Sequence, residues 1–84
     1  MTDRFEVPVR LFGRHRDLVG EPVVCVALVS GGTVGDLRRV LEEDPRLAGA
    51  LEGAAVALNR RYETDESPVS SGDEVAIIPP VAGG

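Results

Sequence analysis

Eighty-four residues suffice for one small domain that buries about 63% of its unfolded surface without metal ions or disulfide bonds, and they exclude a second domain. Apolar residues make up 43% of the chain and aromatic residues only 4%, which favours a β-rich core of branched aliphatic side chains. Fourteen acidic and nine basic residues, all nine of them arginine, give a net charge of −5, which argues against nucleic acid as a partner.

The first third of the chain predicts a β-hairpin. Apolar and more polar residues alternate over 5–11, as in a strand with one buried face, and Phe12 is a large apolar residue on the polar face. The segment 13–20 has glycine at both ends and charge between them, which predicts a turn. The apolar run 21–29 then predicts the second strand.

A helix is predicted to follow the hairpin. Thr33 and Asp36 have the spacing of a capping box, apolar residues recur at helical spacing over 34–41, and Asp44-Pro45 should end the helix. The preceding segment SGGT lacks the lysine and the spacing of a phosphate-binding loop, so we interpret it as a turn. A short helical turn is predicted over 47–51.

The second half of the chain predicts further strands. Residues 55–59 are β-like, 60–73 form a polar loop with a short strand at 68–70, and 74–78 form a last strand that Pro79-Pro80 ends. This order predicts an α+β fold with one main helix packed on one face of a mixed sheet. If the first and last strands are central neighbours, the fold is the β-grasp (ubiquitin-like) fold, with a domain over 1–78 and a flexible C-terminal tail over 79–84.

The body of the chain offers few groups for chemistry. One histidine and one cysteine, without a carboxylate cluster at ligand spacing, predict no metal site. Cys25 is expected to be a core residue rather than a reactive thiol, and His15 a surface residue of the turn. The acidic pairs Glu42-Glu43 and Asp73-Glu74 are interpreted as a solvated helix face and a turn rather than as catalytic carboxylates.

The N-terminal residues and the apolar runs predict a cytoplasmic protein without a membrane partner. Residues 1–15 contain no hydrophobic signal region, and the longest apolar run, 23–29, is far shorter than the roughly 20 residues that span a bilayer. Cys25 is the only cysteine, so an internal disulfide is impossible and a reducing compartment is expected.

The C-terminal tail predicts chemistry of its own. The chain ends in VAGG, which alone fits a frayed terminus, but Pro79-Pro80 should hold the tail extended as it leaves the last strand. Six extended residues reach about 20 Å. Two terminal glycines lack Cβ atoms, so the carboxylate of Gly84 can enter a narrow channel. We therefore expect the reactive group to be the C-terminus itself, loaded and unloaded by other proteins.

Four segments resemble the sulfur-carrier (small) subunits of molybdopterin synthases, a ubiquitin-like family. The ending SGDEVAIIPPVAGG at 71–84 is similar to the family's DGDEV-x-x-x-PPV-x-GG, and LFGRHRDLVG at 11–20 is similar to its F-A-x-x-R-E-L-x-G. TVGDL at 33–37 resembles the family's helix start, and ALN at 57–59 resembles its A-V-N strand. The segments occur in the family's order and span nearly the whole chain.

The resemblance implies a β-grasp fold and a sulfur-transfer cycle. Gly84 would be adenylated with ATP by a ubiquitin-activating-like adenylyltransferase, converted to a thiocarboxylate by a sulfur-donating enzyme, and would donate sulfur to a cyclic pyranopterin to form the molybdopterin dithiolene. No cofactor would be bound by this chain, and catalytic side chains would belong to the synthase large subunit, in a heterotetramer. Gly83 and Gly84 would act in the chemistry, and the predicted partner-binding residues are Phe12, Arg16, Ile78, Pro79, Pro80, Val81 and Ala82.

Two departures and two alternatives accompany this interpretation. Gly13 replaces the usual alanine and His15 a usual aliphatic; both lie outside the tail, so they bear on partner geometry more than on chemistry. A similar carrier could feed thiamine or cysteine synthesis. A ubiquitin-like modifier could instead become attached to other proteins through Gly84, and the absence of lysine would then prevent lysine-linked chains on itself.

Overall fold

A computed structural model describes residues 3–80, which form a five-stranded mixed sheet with two helices. The elements in chain order are β1 (Arg4–Leu11), α1 (Gly13–Val19), β2 (Val23–Val29), α2 (Val34–Glu42), β3 (Ala55–Leu58), β4 (Arg61–Glu63) and β5 (Val75–Ile78). None of the helices within 3–80 is long and apolar enough to cross a bilayer. The predicted division between a domain over 1–78 and a tail over 79–84 stays a prediction, because 81–84 lie outside the described residues.

The strand order is β2-β1-β5-β3-β4, so the last strand lies in the middle of the sheet. β1 pairs antiparallel with β2 and parallel with β5, and β3 pairs antiparallel with both β5 and β4. The expectation that the first and last strands are central neighbours is confirmed. The α+β class and the β-grasp arrangement are confirmed with it.

One face of the sheet packs against α2 and forms the core. Alternate residues of each strand point to this face, among them Val9 of β1, Val56 of β3 and Ile77 of β5, which are all fully buried. They join Leu37 and Leu41 of α2 in one hydrophobic cluster. The opposite side, called the open face below, is not covered by a helix of the described residues.

The capping box at the start of α2 is confirmed. The Thr33 hydroxyl accepts a hydrogen bond from the Asp36 N–H at 3.3 Å, and the Asp36 carboxylate accepts one from the Thr33 N–H at 3.0 Å. The Thr33 N–H is the largest of the interactions that lower the pKa of Asp36 below its usual value. Two backbone donors at the helix start are satisfied in this way.

Two predicted elements are wrong in type or place, and a third is confirmed only in part. Residues 13–20, predicted as a turn, contain helix α1, which ends at Gly20 in a left-handed conformation. The short strand in the loop lies at Arg61–Glu63 and not at 68–70, where Pro68 makes only an isolated bridge to Thr33. The segment predicted as a helical turn over 47–51 contains hydrogen-bonded turns without a regular helix.

Candidate functional site

The chain leaves the sheet between two glycines. Pro79 and Pro80 follow directly on β5, and Pro79 lies beside the first residue of α1. A Cβ atom on Gly13, whose φ is +53°, would come within 3.2 Å of Pro79 Cγ. A Cβ on Gly53 would come within 3.6 Å of Pro80 Cγ. Gly13 therefore lies against Pro79 at the root of the tail, which corrects the expectation that this departure does not touch the tail.

An apolar groove lies on the open face beside this exit. Phe12 is 43% exposed at the end of β1 and Ile78 is half-buried at the end of β5. Phe12 and Ile78 are neighbours because β1 and β5 are parallel and Leu11 pairs with Ile77, the residues that precede them. The residues that line this open-face groove, of about 340 Å³, are Arg10, Phe12, Ala57, Arg60, Tyr62, Glu74, Ala76 and Ile78.

The groove has an apolar floor and charged walls. Arg10, Ala76, Ala57 and Tyr62 stand opposite one another on four consecutive strands, so the two alanines leave space between longer side chains. Tyr62 is 72% exposed. Large exposed aromatic side chains around small residues are typical of protein-binding surfaces.

Sequence reasoning identified two of the groove residues and missed the others. Phe12 was predicted because it is apolar on the polar face of its strand, and Ile78 because it ends the last strand just before Pro79. Both then lie beside the tail if the two strands are parallel neighbours. Tyr62 and Ala57 were missed because 60–73 was interpreted as a loop, which hid the pairing of Ala57 with Tyr62. The alternation of residue types over 55–63 is the signal that could have revealed them, because it is typical of two short strands joined by a tight turn.

The other predicted partner-binding residues are placed as follows. Arg16 is exposed on α1, but it does not line the groove. Pro79 is half-buried and Pro80 exposed at the exit. Val81, Ala82, Gly83 and Gly84 lie outside the described residues, so their roles stay predictions.

The burial of His15 and Cys25 is the reverse of what the sequence predicted. His15 is fully buried, and its Nε2 lies 2.8 Å from the carbonyl oxygen of Ala50, which ties α1 to the loop before β3. Its Nδ1 has no hydrogen-bond partner among residues 3–80. Cys25 is exposed, because β2 is an edge strand whose open face nothing within 3–80 covers. A single apolar run could not tell an edge strand from a central one.

The acidic pairs take part in turn geometry. Asp73 accepts hydrogen bonds from the Ser70 N–H at 2.7 Å and from the Asn59 side-chain amide at 3.1 Å. Glu42 accepts one from the Gly49 N–H at 3.0 Å.

Within 3–80, no group of three or more histidine, cysteine and acidic side chains could hold a metal ion. The Arg46 side chain lowers the pKa of Asp44, and the Thr64 hydroxyl lowers that of Glu66, both away from the groove.

Comparison with known proteins gives matches over almost the whole chain. The model of the ThiS family matches residues 9–84. A protein of Arabidopsis thaliana named molybdopterin synthase sulfur carrier subunit is 38% identical over 84 residues, which cover 99% of this chain and 88% of that protein.

Two solved structures have a similar fold. The small archaeal modifier protein 1 of Haloferax volcanii has a TM-score of 0.82 at 25% identity, covering 90% of this chain and 98% of that one. Subunit 1 in the complex of subunits 1 and 2 of a molybdopterin-converting factor from Helicobacter pylori matches over 95% of this chain and 100% of that chain. Its TM-score is 0.68 and its identity 30%.

Proposed function

Since this chain belongs to the ThiS family, we propose that it is the sulfur carrier of a molybdopterin synthase, with the carboxyl group of Gly84 as the carrier. The sulfur carrier role is supported by relatives of that name that match this chain nearly end to end. The single observation that carries the proposal is the position of β5. Because β5 pairs with strands on both sides, Pro79 and Pro80 continue from a central strand of the sheet, beside an apolar groove.

The proposed chemistry needs only a free C-terminal carboxylate on this chain. The carboxylate of Gly84 attacks the α-phosphorus of ATP on an activating enzyme, which releases pyrophosphate and leaves an acyl-adenylate. Sulfur at the oxidation level of sulfide, supplied by a donor enzyme, then attacks the acyl carbon, so that AMP leaves and a thiocarboxylate remains. Each thiocarboxylate delivers one sulfur to a cyclic pyranopterin, and water restores the carboxylate. Two loaded chains are therefore needed to build the dithiolene, which contains two sulfurs. We expect this cycle in the cytoplasm, where ATP is present and the exposed thiol of Cys25 stays reduced.

The partner proposed for the open-face groove is the large subunit of the synthase. The Helicobacter pylori relative was solved in complex with its subunit 2, which supports a large-subunit partner. In our proposal Phe12 and Ile78 bind that partner next to the exit, and Pro79 to Ala82 lead the two terminal glycines into its active site. Two copies of each subunit would form a heterotetramer.

Deleting Gly84 tests the carrier role. The protein treated with its activating enzyme, ATP and a sulfur source should exchange one oxygen for one sulfur, which intact mass spectrometry detects and fragmentation assigns to Gly84. The Gly84 deletion should abolish both this exchange and molybdopterin formation, and a variant with one residue appended after Gly84 should do the same. The melting temperature should stay unchanged, because Gly84 lies six residues beyond Ile78, the last residue of β5. Molybdopterin formation by the deletion variant would overturn the proposal.

A second candidate function is protein modification. It is favoured by the likeness to a small archaeal modifier protein, whose TM-score is 0.82. The same activated carboxyl of Gly84 would then form an amide with lysines of other proteins. Mass spectrometry of those proteins for a Gly-Gly remnant on lysine distinguishes the two functions. Transfer of sulfur to a thiamine or cysteine precursor, with none to pyranopterin, would instead indicate a carrier for another pathway.

A further inference from the structure

The two edges of the sheet differ in how well they are protected. β4 is only three residues long and carries Arg61 and Glu63, and short charged edges resist pairing with another chain. β2 is seven residues long, and no charged residue occurs between Glu21 and Asp36. Three of its outward side chains, Val23, Cys25 and Val29, are exposed. β2 is therefore an unprotected edge.

The hydrogen-bond pattern shows which backbone groups of β2 are free. The Leu11 N–H donates to the Pro22 carbonyl and the Ser30 N–H donates to the Asp3 carbonyl, each at 2.8 Å. In an antiparallel pair these bonds alternate, so even-numbered residues of β2 bond to β1 and odd-numbered ones point away. The N–H groups of Cys25 and Ala27 thus face outward, and no residue within 3–80 accepts from them.

Side chains of β2 at equal distances from the central residue, Val26, have similar sizes. Val23 corresponds to Val29, Val24 to Leu28 and Cys25 to Ala27 when the strand VVCVALV is reversed about Val26. An antiparallel copy placed on a two-fold axis at Val26 would therefore set Cys25 opposite Ala27. The backbone N–H and carbonyl groups of Cys25 and Ala27 both point away from β1. These two residues can therefore exchange hydrogen bonds across the axis, and the alternation of an antiparallel pair is kept.

The charges around β2 also favour a second copy. Two chains of net charge −5 repel each other, so self-association needs a neutral surface. Between β2 and α2 lies a cleft of about 550 Å³ whose charged lining residues are Arg4, Asp36, Arg39 and Glu43, two of each sign. The cleft and the uncharged strand together form a surface without net charge.

We propose that β2 pairs antiparallel with β2 of a second copy of this chain, around a two-fold axis at Val26, so that the two sheets form one sheet of ten strands. The contact is small, so we expect a dissociation constant between about 10 μM and 1 mM. β1 separates β2 from β5, so the pairing does not involve the strand that precedes the tail. The pairing is independent of sulfur transfer.

Amide hydrogen exchange tests this pairing residue by residue. The Val24 and Val26 amides should be protected at every concentration, because they bond to β1. The Cys25 and Ala27 amides should exchange freely in dilute protein and more slowly as the chains pair. At a chain concentration of about 2 mM the expected slowing is more than tenfold for a dissociation constant of about 10 μM and about 2.5-fold for one of about 1 mM. Sedimentation equilibrium over the same concentrations, up to about 2 mM, should show a monomer–dimer equilibrium.

A matched pair of variants separates pairing from general charge effects. Ala27→Lys adds a charge at the edge and should leave a monomer at all concentrations. Ala48→Lys makes the same substitution at an exposed position outside β2 and should dimerise like the native chain. Both should melt at the native temperature.

Three results would overturn the proposal. Cys25 and Ala27 amides that exchange equally fast at all concentrations would show that the edge stays open. Amides protected even at the highest dilution would show that another part of the chain covers it. A dimer that persists in Ala27→Lys would place the contact elsewhere.

Discussion

The two faces of the sheet differ in what their residues contribute. On the face packed against α2, strand residues such as Val9, Val56 and Ile77 are fully buried and belong to one hydrophobic cluster. On the open face, Phe12 and Tyr62 are exposed, although phenylalanine is usually buried in proteins and tyrosine is often at least partly buried. The packed face stabilises the fold, whereas the open face has apolar surface left over for a partner.

The difference is sharpest where one strand presents both faces in turn. Ile77 is fully buried in the core, and the next residue, Ile78, is half-buried in the groove wall. Two isoleucines that follow each other in the chain thus have different roles: one stabilises the core, and the other lines the groove. The reason is that successive residues of a strand point to opposite faces of the sheet.

Truncating these two isoleucines should give the largest and clearest contrast. Ile77→Ala should lower the free energy of unfolding by about 2–5 kcal/mol, because it leaves a cavity between Leu11 and Val56. Ile78→Ala should lower it by only about 1 kcal/mol. Urea denaturation measures both, and Ile77→Val, with an expected loss of about 0.5–1.5 kcal/mol, serves if the alanine variant does not fold. Equal losses at both positions would contradict the assignment of faces.

A charge in the groove should weaken partner binding without unfolding the chain. Burying most of Phe12 against a partner is worth roughly 1.5–3 kcal/mol, so Phe12→Arg should weaken binding of the synthase large subunit at least about tenfold. Isothermal titration with the large subunit measures this effect. Leu18→Arg is the matched control, because Leu18 is similarly exposed, at 46% against 43%, but does not line the groove. Unfolding of Phe12→Arg, or equal effects of the two variants, would contradict the proposed interface.

Sequence patterns predicted the packed face better than the open one. α2 was predicted because both of its signals are local: the capping box of Thr33 and Asp36, and apolar residues at helical spacing. α1 was missed because it has no side-chain cap and begins with a glycine. It is held by contacts distant in sequence, above all from His15 to Ala50, 35 residues away.

The candidate site shows the same limit. Phe12 and Ile78 could be predicted to be neighbours once β1 and β5 were taken as parallel, because that register follows from the fold. The contact between Gly13 and Pro79 could not, since it depends on the position of α1. The exposure of Cys25 depends on the position of β2 at the edge of the sheet, which an apolar run does not reveal.

The helix cap should affect stability alone. Thr33→Ala removes the hydroxyl that accepts the Asp36 N–H, and should lower the free energy of unfolding by about 1 kcal/mol. Thr33→Ser keeps this acceptor and should be close to native. Since neither Thr33 nor Asp36 lines the groove, binding of the large subunit should not change in either variant. A normal urea midpoint for Thr33→Ala would show that the hydroxyl does not stabilise the helix.

The smallest expected effect is the pH dependence of the same cap. The Thr33 N–H is the first of the interactions that hold the pKa of Asp36 below its usual value of 3.8, so the ionised carboxylate is favoured in the folded state. The stabilisation that such a carboxylate contributes is fully present at pH values above its pKa in the unfolded chain. It is lost as the pH falls through the lower pKa that the carboxylate has in the folded chain. The native chain should therefore be more stable than Asp36→Asn at neutral pH, and the gap between their urea midpoints should close below pH 3.8. A gap that stays constant down to about pH 2.5 would show that the ionisation of Asp36 does not contribute, and would assign the cap to the Thr33 hydroxyl alone.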